Sequence, residues 1–279
     1  MTEPGQSGRA HEYELGHSDR ELKRLRLQAR LVDPITRQFF RDAGLSRGMR
    51  VLDIGSGGGD TALLAAELVG DSGEVLGVDR SPVAIAAAQE RMNALGKRNI
   101  SFHQNDPDAV EFGGKFDAVV GRYVLMFNQA PAGMLRSLAK LLRPGGVIVF
   151  HETDWYGVRS SPVAQMYDQC HNWIVRTFKK VGANPHMGQD LHAAFVQAGI
   201  PAPSMGLQAL IEGPTDDMVY VDMIAELAIS MTPVMEEQGV IARGAIDPAT
   251  YSQRMRSEVK RLDSVMVGRS EIGAWSRVL

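Results

Sequence analysis

The ten residues Val51–Asp60, VLDIGSGGGD, set the reading of this chain. Val51–Ile54 is a short apolar run of strand length. Gly55, Gly57 and Gly59 then let the backbone turn tightly and approach a ligand without Cβ clashes. Asp60 opens TALLAAELV, which has helical spacing. A strand that passes through a glycine-rich turn into a helix is the first unit of an open α/β sheet. Such sheets bind ligands beyond the carboxyl ends of their strands.

The same rhythm continues outward. Strands are expected at Arg50–Ile54, Glu74–Asp79, Ile100–Gln104, Phe116–Gly121 and Val147–Glu152, with helices between them at Asp60–Val69, Pro82–Leu95 and Pro131–Leu142. Pro82 suits a first helical turn. Pro144-Gly145-Gly146 stops a helix and turns the chain into the fifth strand. Strand–helix alternation implies a parallel sheet covered on both faces. Upstream, Ser18 and Glu21 have capping-box spacing, and Leu22, Leu25, Leu27, Leu31 and Val32 form an apolar stripe. Pro34 kinks this helix or ends it before a second one through Phe39 and Phe40. Downstream, helices are expected over Pro162–Lys180, Gln189–Gln197, Asp216–Glu237 and Pro248–Leu262, and strands over Ser204–Ile211 and Val265–Ser276.

Composition narrows the classes. The 279 residues are 44% hydrophobic and 23% charged, which is ordinary for a globular chain and not for a disordered one. A net charge of −3 argues against nucleic acid as a partner. The basic stretch Lys23, Arg24, Arg26 and Arg30 alternates with leucines and reads as the wet face of a helix. One cysteine, Cys170, permits neither an internal disulfide nor a cysteine metal cluster, which fits a reducing cytosol. The N-terminal residues lack the apolar core of a secretory signal, and no run is long enough to span a membrane. No histidine and carboxylate spacing suggests a metal.

Two cofactor classes suit the glycine turn. A dinucleotide places its pyrophosphate at the helix N-terminus and wants a third glycine where Asp60 stands. A carboxylate there repels a phosphate, yet caps a helix well when no phosphate is present. S-adenosylmethionine (SAM) has no phosphate and carries a positive sulfonium. Asp53, before the turn, adds negative potential beside such a cation. The acidic residues therefore favour SAM over NAD. Asp79 closes the second strand in LGVDRSP and can accept hydrogen bonds from both ribose hydroxyls. Ser81 is a better helix cap than Asp79, which leaves Asp79 for a ligand, with Arg80 beside it. Asp106, in HQNDPDAVEF, either holds the adenine amine or makes an Asp–Pro turn.

VLDIGSGGGD, GVDRSP, NDPDAVEF, FDAVVGRYVLMF and LLRPGGVIVFHE occur in this order over about residues 48–155. In that set the chain resembles class I SAM-dependent methyltransferases, in their bacterial small-molecule, natural-product branch. The resemblance implies a Rossmann-like, doubly wound, mostly parallel seven-stranded α/β sheet with N-terminal lid helices and C-terminal helical additions. It implies a single domain: a tail and lid over 1–45, a SAM-binding core over 46–155 and an acceptor side over 156–279. It further implies that Gly55, Ser56 and Gly57 line SAM, that Asp79 holds the ribose and Asp106 the adenine, and that Arg122 sits near the cofactor. A lid over residues 13–32 would bring Tyr13 and Gln28 to the site. The same helix offers a surface for self-association. The fourth strand runs into Gly121-Arg122-Tyr123-Val124, without the Asn/Asp-Pro-Pro-aromatic sequence of amino-methylating nucleic-acid and protein-glutamine enzymes.

Methyl transfer from an activated donor needs mainly a near-attack geometry, with a base for some acceptors. His151, at the end of the fifth strand, is a candidate base, or else a packed strand histidine. Alternation lets only one of His151 and Glu152 face the cleft. Tyr13, Trp155 and Tyr156 either touch the acceptor or cover the core. Met218, Met223, Met231 and Met235 read as core filling. The implied function is cytoplasmic SAM-dependent methylation of a small-molecule acceptor such as a secondary metabolite. The alternatives are C-methylation coupled to cyclisation of a prenylated product, an NAD-dependent oxidoreductase, and a non-enzymatic SAM-binding protein.

Overall fold

The structure, a computed structural model, describes residues 19–105 and 114–279. It opens with α1 (Asp19–Asp42), β1 (Arg50–Ile54), α2 (Asp60–Val69), β2 (Glu74–Asp79), α3 (Pro82–Ala94) and β3 (Ile100–Gln104). Next come β4 (Phe116–Arg122), a 3-10 turn (Leu125–Phe127), α4 (Pro131–Ala139), β5 (Leu142–Asp154) and β6 (Arg159–Ser161). The last part holds α5 (Gln165–Lys180), α6 (Met187–Gln197), β7 (Ser204–Glu212), α7 (Val219–Glu237), α8 (Tyr251–Leu262) and β8 (Val265–Arg277).

The strands form one sheet in the order β3-β2-β1-β4-β5-β8-β6, with β7 also paired to β8. Strands β1 to β5 pair in parallel, and β8 runs antiparallel to β5, β6 and β7. Among the described residues the sheet has eight strands where seven are expected. The extra one, β6, has only three residues, too few to show a period.

Alternation along the strands divides the core. Leu52, Ile54, Val119, Ile148 and Phe150 face one layer, where they meet Leu135 of α4, Phe195 of α6 and Ile224 of α7. Val51, Ala118, Val120, Val147 and Val149 face the other, against Ala62 and Ala65 of α2, Met92 of α3 and Phe40 of α1. Burial on both faces is why these strands read as continuous apolar runs.

Two expectations are corrected. Pro34 lies inside a single 24-residue helix and does not end it. Its exposed position leaves the carbonyl freed one turn earlier to water, while Val32, Ile35, Phe39 and Phe40 fix the helix through burial. Pro144-Gly145-Gly146 does not precede the fifth strand but is looped within it. Phe116 pairs with Leu142 and Ala118 with Val147, so the turn forms an irregularity in β5. The Gly145 N–H and the Gly146 carbonyl then bond to Val278.

In α1, the stripe residues Leu27, Leu31 and Val32 are used within the chain: Val32 is buried and the two leucines pack on the core. Tyr13, Ser18 and Asp106 lie outside the described residues. Among the described residues, no helix is long and apolar enough to cross a membrane.

Candidate active site

The strand order reverses between β1 and β4, and the glycine turn sits at the carboxyl end of β1 at that reversal. Its glycines divide their tasks. A Cβ on Gly55 would lie 2.6 Å from Val124 Cγ2, and one on Gly59 2.9 Å from Phe102 Cζ, so the fold itself excludes side chains there. Gly57, at φ 48°, has nothing within 4 Å of its would-be Cβ and opens onto free space. Its N–H donates to Asp79 Oδ2 at 2.9 Å, and the Ser81 N–H donates to Asp79 Oδ1 at 2.9 Å. Each carboxylate oxygen keeps lone-pair capacity for a further donor. Ser81 Oγ accepts from the Ala84 N–H and caps α3, as its position predicts. Arg80 is exposed, and its carbonyl accepts from Gln104 Nε2.

Under the turn, Asp53 is fully buried and neither of its oxygens has a hydrogen-bond partner. Burial holds its carboxyl well above the ordinary range, against the pull of the Arg122 guanidinium. Ser56 is also buried, with its hydroxyl unpartnered. Asp60 does not cap α2, because Gly59 occupies the cap position in a left-handed conformation. Asp60 instead pairs with Arg91 at 2.5 Å and lies 4.0 Å from Arg122. A buried carboxyl and a buried hydroxyl thus lie beneath the turn, and the Asp60 carboxylate stands at the start of α2, where a dinucleotide would place its pyrophosphate.

Arg122, nearly buried, donates to Asp33 Oδ1 at 2.7 Å and Thr36 Oγ1 at 3.1 Å, tying α1 to the sheet. Thr36 Oγ1 lies 3.0 Å from His151 Nδ1, and His151 Nε2 lies 2.9 Å from Glu271 Oε2. Tyr123 donates to the same Glu271 oxygen at 2.7 Å, and Arg269 Nε donates to the other at 2.9 Å. His151 has no exposed surface and Phe39 lies edge-on against its ring. Burial lowers its pKa, although Glu271 opposes this. The expected base is thus a buried link in a network, because both ring nitrogens are already engaged. Tyr123, Arg269, Glu271 and Thr36 escape sequence reading, since their partners lie up to 148 residues away.

Glu152 turns to the other layer, as alternation requires. Its Oε1 accepts the Val124 and Leu125 N–H groups at 2.9 and 2.7 Å and caps the 3-10 turn. Burial pushes its carboxyl up to about 8, against the backbone N–H groups of Leu125, Val124 and Met126. The unfolded chain releases this proton near 4.5, while the folded chain keeps it to about 8. Stability therefore falls as pH rises across that window, by up to about 1.4 kcal/mol per pH unit. Glu152→Gln has no such proton to lose. Its melting temperature should match the native chain below the window and exceed it increasingly towards the upper end. A difference independent of pH in thermal melts would refute this role of burial.

Beside the network is a cavity of about 290 Å³, between the 3-10 turn, the end of β5, α1, α5 and α7. Arg24 and Gln28 of α1 line it, joined by an Arg24-to-Gln28 hydrogen bond of 3.0 Å. This places Gln28 in the cavity wall. Trp155 is buried and lines the cavity as well as the core. Tyr156 is 60% exposed and stacks on His186, so it covers neither. Asp154 accepts from Gln189 and pairs with His186. Met218, Met223, Met231 and Met235 are core residues.

Known proteins share the family and the fold. Residues 45–199 match the family described as "Methyltransferase domain". Aklanonic acid methyltransferase DauC of Streptomyces sp. (strain C5) is 36% identical over 45% of this chain and 57% of its own. Demethylmenaquinone methyltransferase of Lactococcus lactis is 33% identical over 44% of this chain and 46% of its own. The chain thus spans about half the length of the curated relatives it matches. Among solved structures, YcgJ of Bacillus subtilis superposes with a TM-score of 0.57 at 16% identity, over 88% of this chain and 99% of that one. Geranyl diphosphate C-methyltransferase of Streptomyces coelicolor gives 0.56 at 16% identity, over 94% and 84%. Both share the Rossmann-like fold. The matched profile covers more than half of the chain, including the glycine turn, Asp79 and the Arg122–His151 pair of strands, and the protein belongs to the methyltransferase-domain family.

Proposed function

We propose that this chain is a SAM-dependent methyltransferase that acts on a small-molecule acceptor. The observation that carries the reading is Asp79, whose carboxylate is fixed by the Gly57 and Ser81 N–H groups where the strand order reverses. A carboxylate so held, beside the open backbone of Gly57, suits a ribose diol. Gly55, Ser56 and Gly57 then line the cofactor, Asp53 and Arg122 lie under its charged end, Arg80 flanks the ribose and Asp106 meets the adenine. When bound, SAM supplies a methyl group on a positively charged sulfur, already activated for displacement.

The chain's own share is positioning. The buried network from Arg122 to Glu271 fixes α1 against β4, β5 and β8, and with it one wall of the acceptor cavity. Orientation of the acceptor at such a wall supplies much of the rate for a displacement of this type. No histidine base is assigned, since His151 is fully engaged. The same reading places the protein in the cytoplasm and gives it neither nucleic acid nor a membrane as substrate. Calorimetric titration tests it: S-adenosylhomocysteine binds the folded chain and NADH does not. Absence of any affinity for S-adenosylhomocysteine in a folded sample would defeat the assignment.

A further inference from the structure

We infer that the acceptor is a planar molecule of one or two rings bearing a carboxylate, and that Arg269 is the residue that selects it. The inference rests on the methyltransferase reading and names the substrate class of that site. Three observations lead to it. The cavity is lined by two guanidiniums, those of Arg24 and Arg269, and by no carboxylate among the described residues. Its remaining walls are largely aromatic and aliphatic, with Phe127, Trp155, Phe178 and Leu227 among them. Its volume of about 290 Å³ stands at the lower end of small-molecule sites, roughly 300–1,000 Å³, which limits the ring system.

The way Arg269 is held adds to these. Its Nε donates to Glu271 at 2.9 Å and its Nη2 to the Tyr123 hydroxyl at 3.2 Å. That occupies the Nε side of the planar fork. Nη1 donates to no group among the described residues, so the Nη1–Nη2 end remains for a ligand. The guanidinium lies over the rings of Trp155 and Tyr123, 5.1 and 5.4 Å from their centroids. A fork end of this kind matches the two oxygens of a carboxylate. Glu271 does not compete for such a ligand, because His151, Tyr123 and Arg269 Nε already share its oxygens. The rings that flank this anchor provide edges and faces for a flat partner: Trp155 and Phe178 meet at 62°, and Phe127 and Phe178 at 74°. An uncharged acceptor of the same shape would fill the walls and leave the fork end unpaired.

The test uses 2-naphthoate and its neutral isostere 2-naphthamide, titrated by calorimetry with and without saturating S-adenosylhomocysteine. Naphthoate should bind at least about tenfold more tightly than the amide, as one charge-assisted pair implies. The paired substitution Arg269→Gln/Glu271→Gln removes both buried charges together. It should abolish the preference for the acid and leave the amide's affinity as it was. Leu227→Trp, which fills the cavity, should weaken both probes, so a poorly folding double variant does not leave the site untested. Equal affinity of acid and amide, a preference that survives in the double variant, or binding of both probes undiminished in Leu227→Trp would each overturn the inference. So would failure of both probes to bind a chain that still takes S-adenosylhomocysteine. Loss of S-adenosylhomocysteine binding itself is measured without either probe and bears on the methyltransferase reading alone.

Discussion

Asp79→Ala should weaken S-adenosylhomocysteine binding by about 100- to 10,000-fold, the largest effect expected of any single change in the glycine-turn region. Two charge-assisted hydrogen bonds to a ribose diol, at roughly 1.5–3 kcal/mol each, give a loss of that size at ~1.4 kcal/mol per tenfold. The native carboxylate also holds the Gly57 and Ser81 N–H groups, so the variant loosens the turn as well as losing the acceptors. Asp79→Asn separates the two losses. Its amide oxygen can still accept one backbone N–H, but its nitrogen cannot accept another, so its affinity should fall between native and alanine. Ser81 caps α3 with its own hydroxyl, so circular dichroism of both variants should stay native. Titration that finds the alanine variant binding as tightly as the native chain would remove Asp79 from the site.

Local chemistry made the first half of the chain readable. β1, β2, β3, α2 and β7 begin where the apolar runs and the turn residues say they should, because each is framed by glycine, proline or a capping hydroxyl. Asp79 was legible for the same reason: it closes a buried strand at the ligand edge, and Ser81 frees it from capping. Pro34 misled because propensity yields to burial of Ile35, Phe39 and Phe40 on either side of one turn. Gly55 and Gly59 read as a close backbone approach to a ligand, and their missing side chains also make room for Val124 and Phe102. The network from Arg122 to Glu271 was not legible. His151 and Glu271 are 120 residues apart and meet only because β8 folds back antiparallel on β5. A polar pair on a late strand looks like an ordinary solvated face until its partners are known. Tyr123 hides similarly: its left-handed backbone, φ 58°, appears only once its N–H is seen bonded to the His151 carbonyl.

Glu271→Gln is expected to cost roughly 3–5 kcal/mol of stability, because it leaves the Arg269 charge buried without its counter-charge. In a chain of this size that corresponds to a fall in Tm on the order of 10 °C. Burial alone would raise the Glu271 carboxyl, but Arg269, His151 and Tyr123 together outweigh it and hold the group down to about 2. An acid held down in this way stabilises the fold above its unfolded value of 4.5, and the contribution is lost as pH falls from there towards 2. The native chain should therefore lose much of its advantage over Glu271→Gln in that acid window. Near neutrality the gap between them should be at its widest. The companion substitution sharpens the argument. If the penalty is a stranded guanidinium, adding Arg269→Gln to Glu271→Gln should recover most of the lost stability, since no charge is then left unpaired. If the loss came instead from the hydrogen bonds of Tyr123 and His151 to the carboxylate, the double variant would melt no higher than the single one. Thermal melts of the three chains at neutral pH decide between a role in charge balance and a role in hydrogen bonding. Recovery in the double variant would show that the network is held by compensation of buried charge, which is the condition under which the free end of Arg269 can be offered to an acidic acceptor.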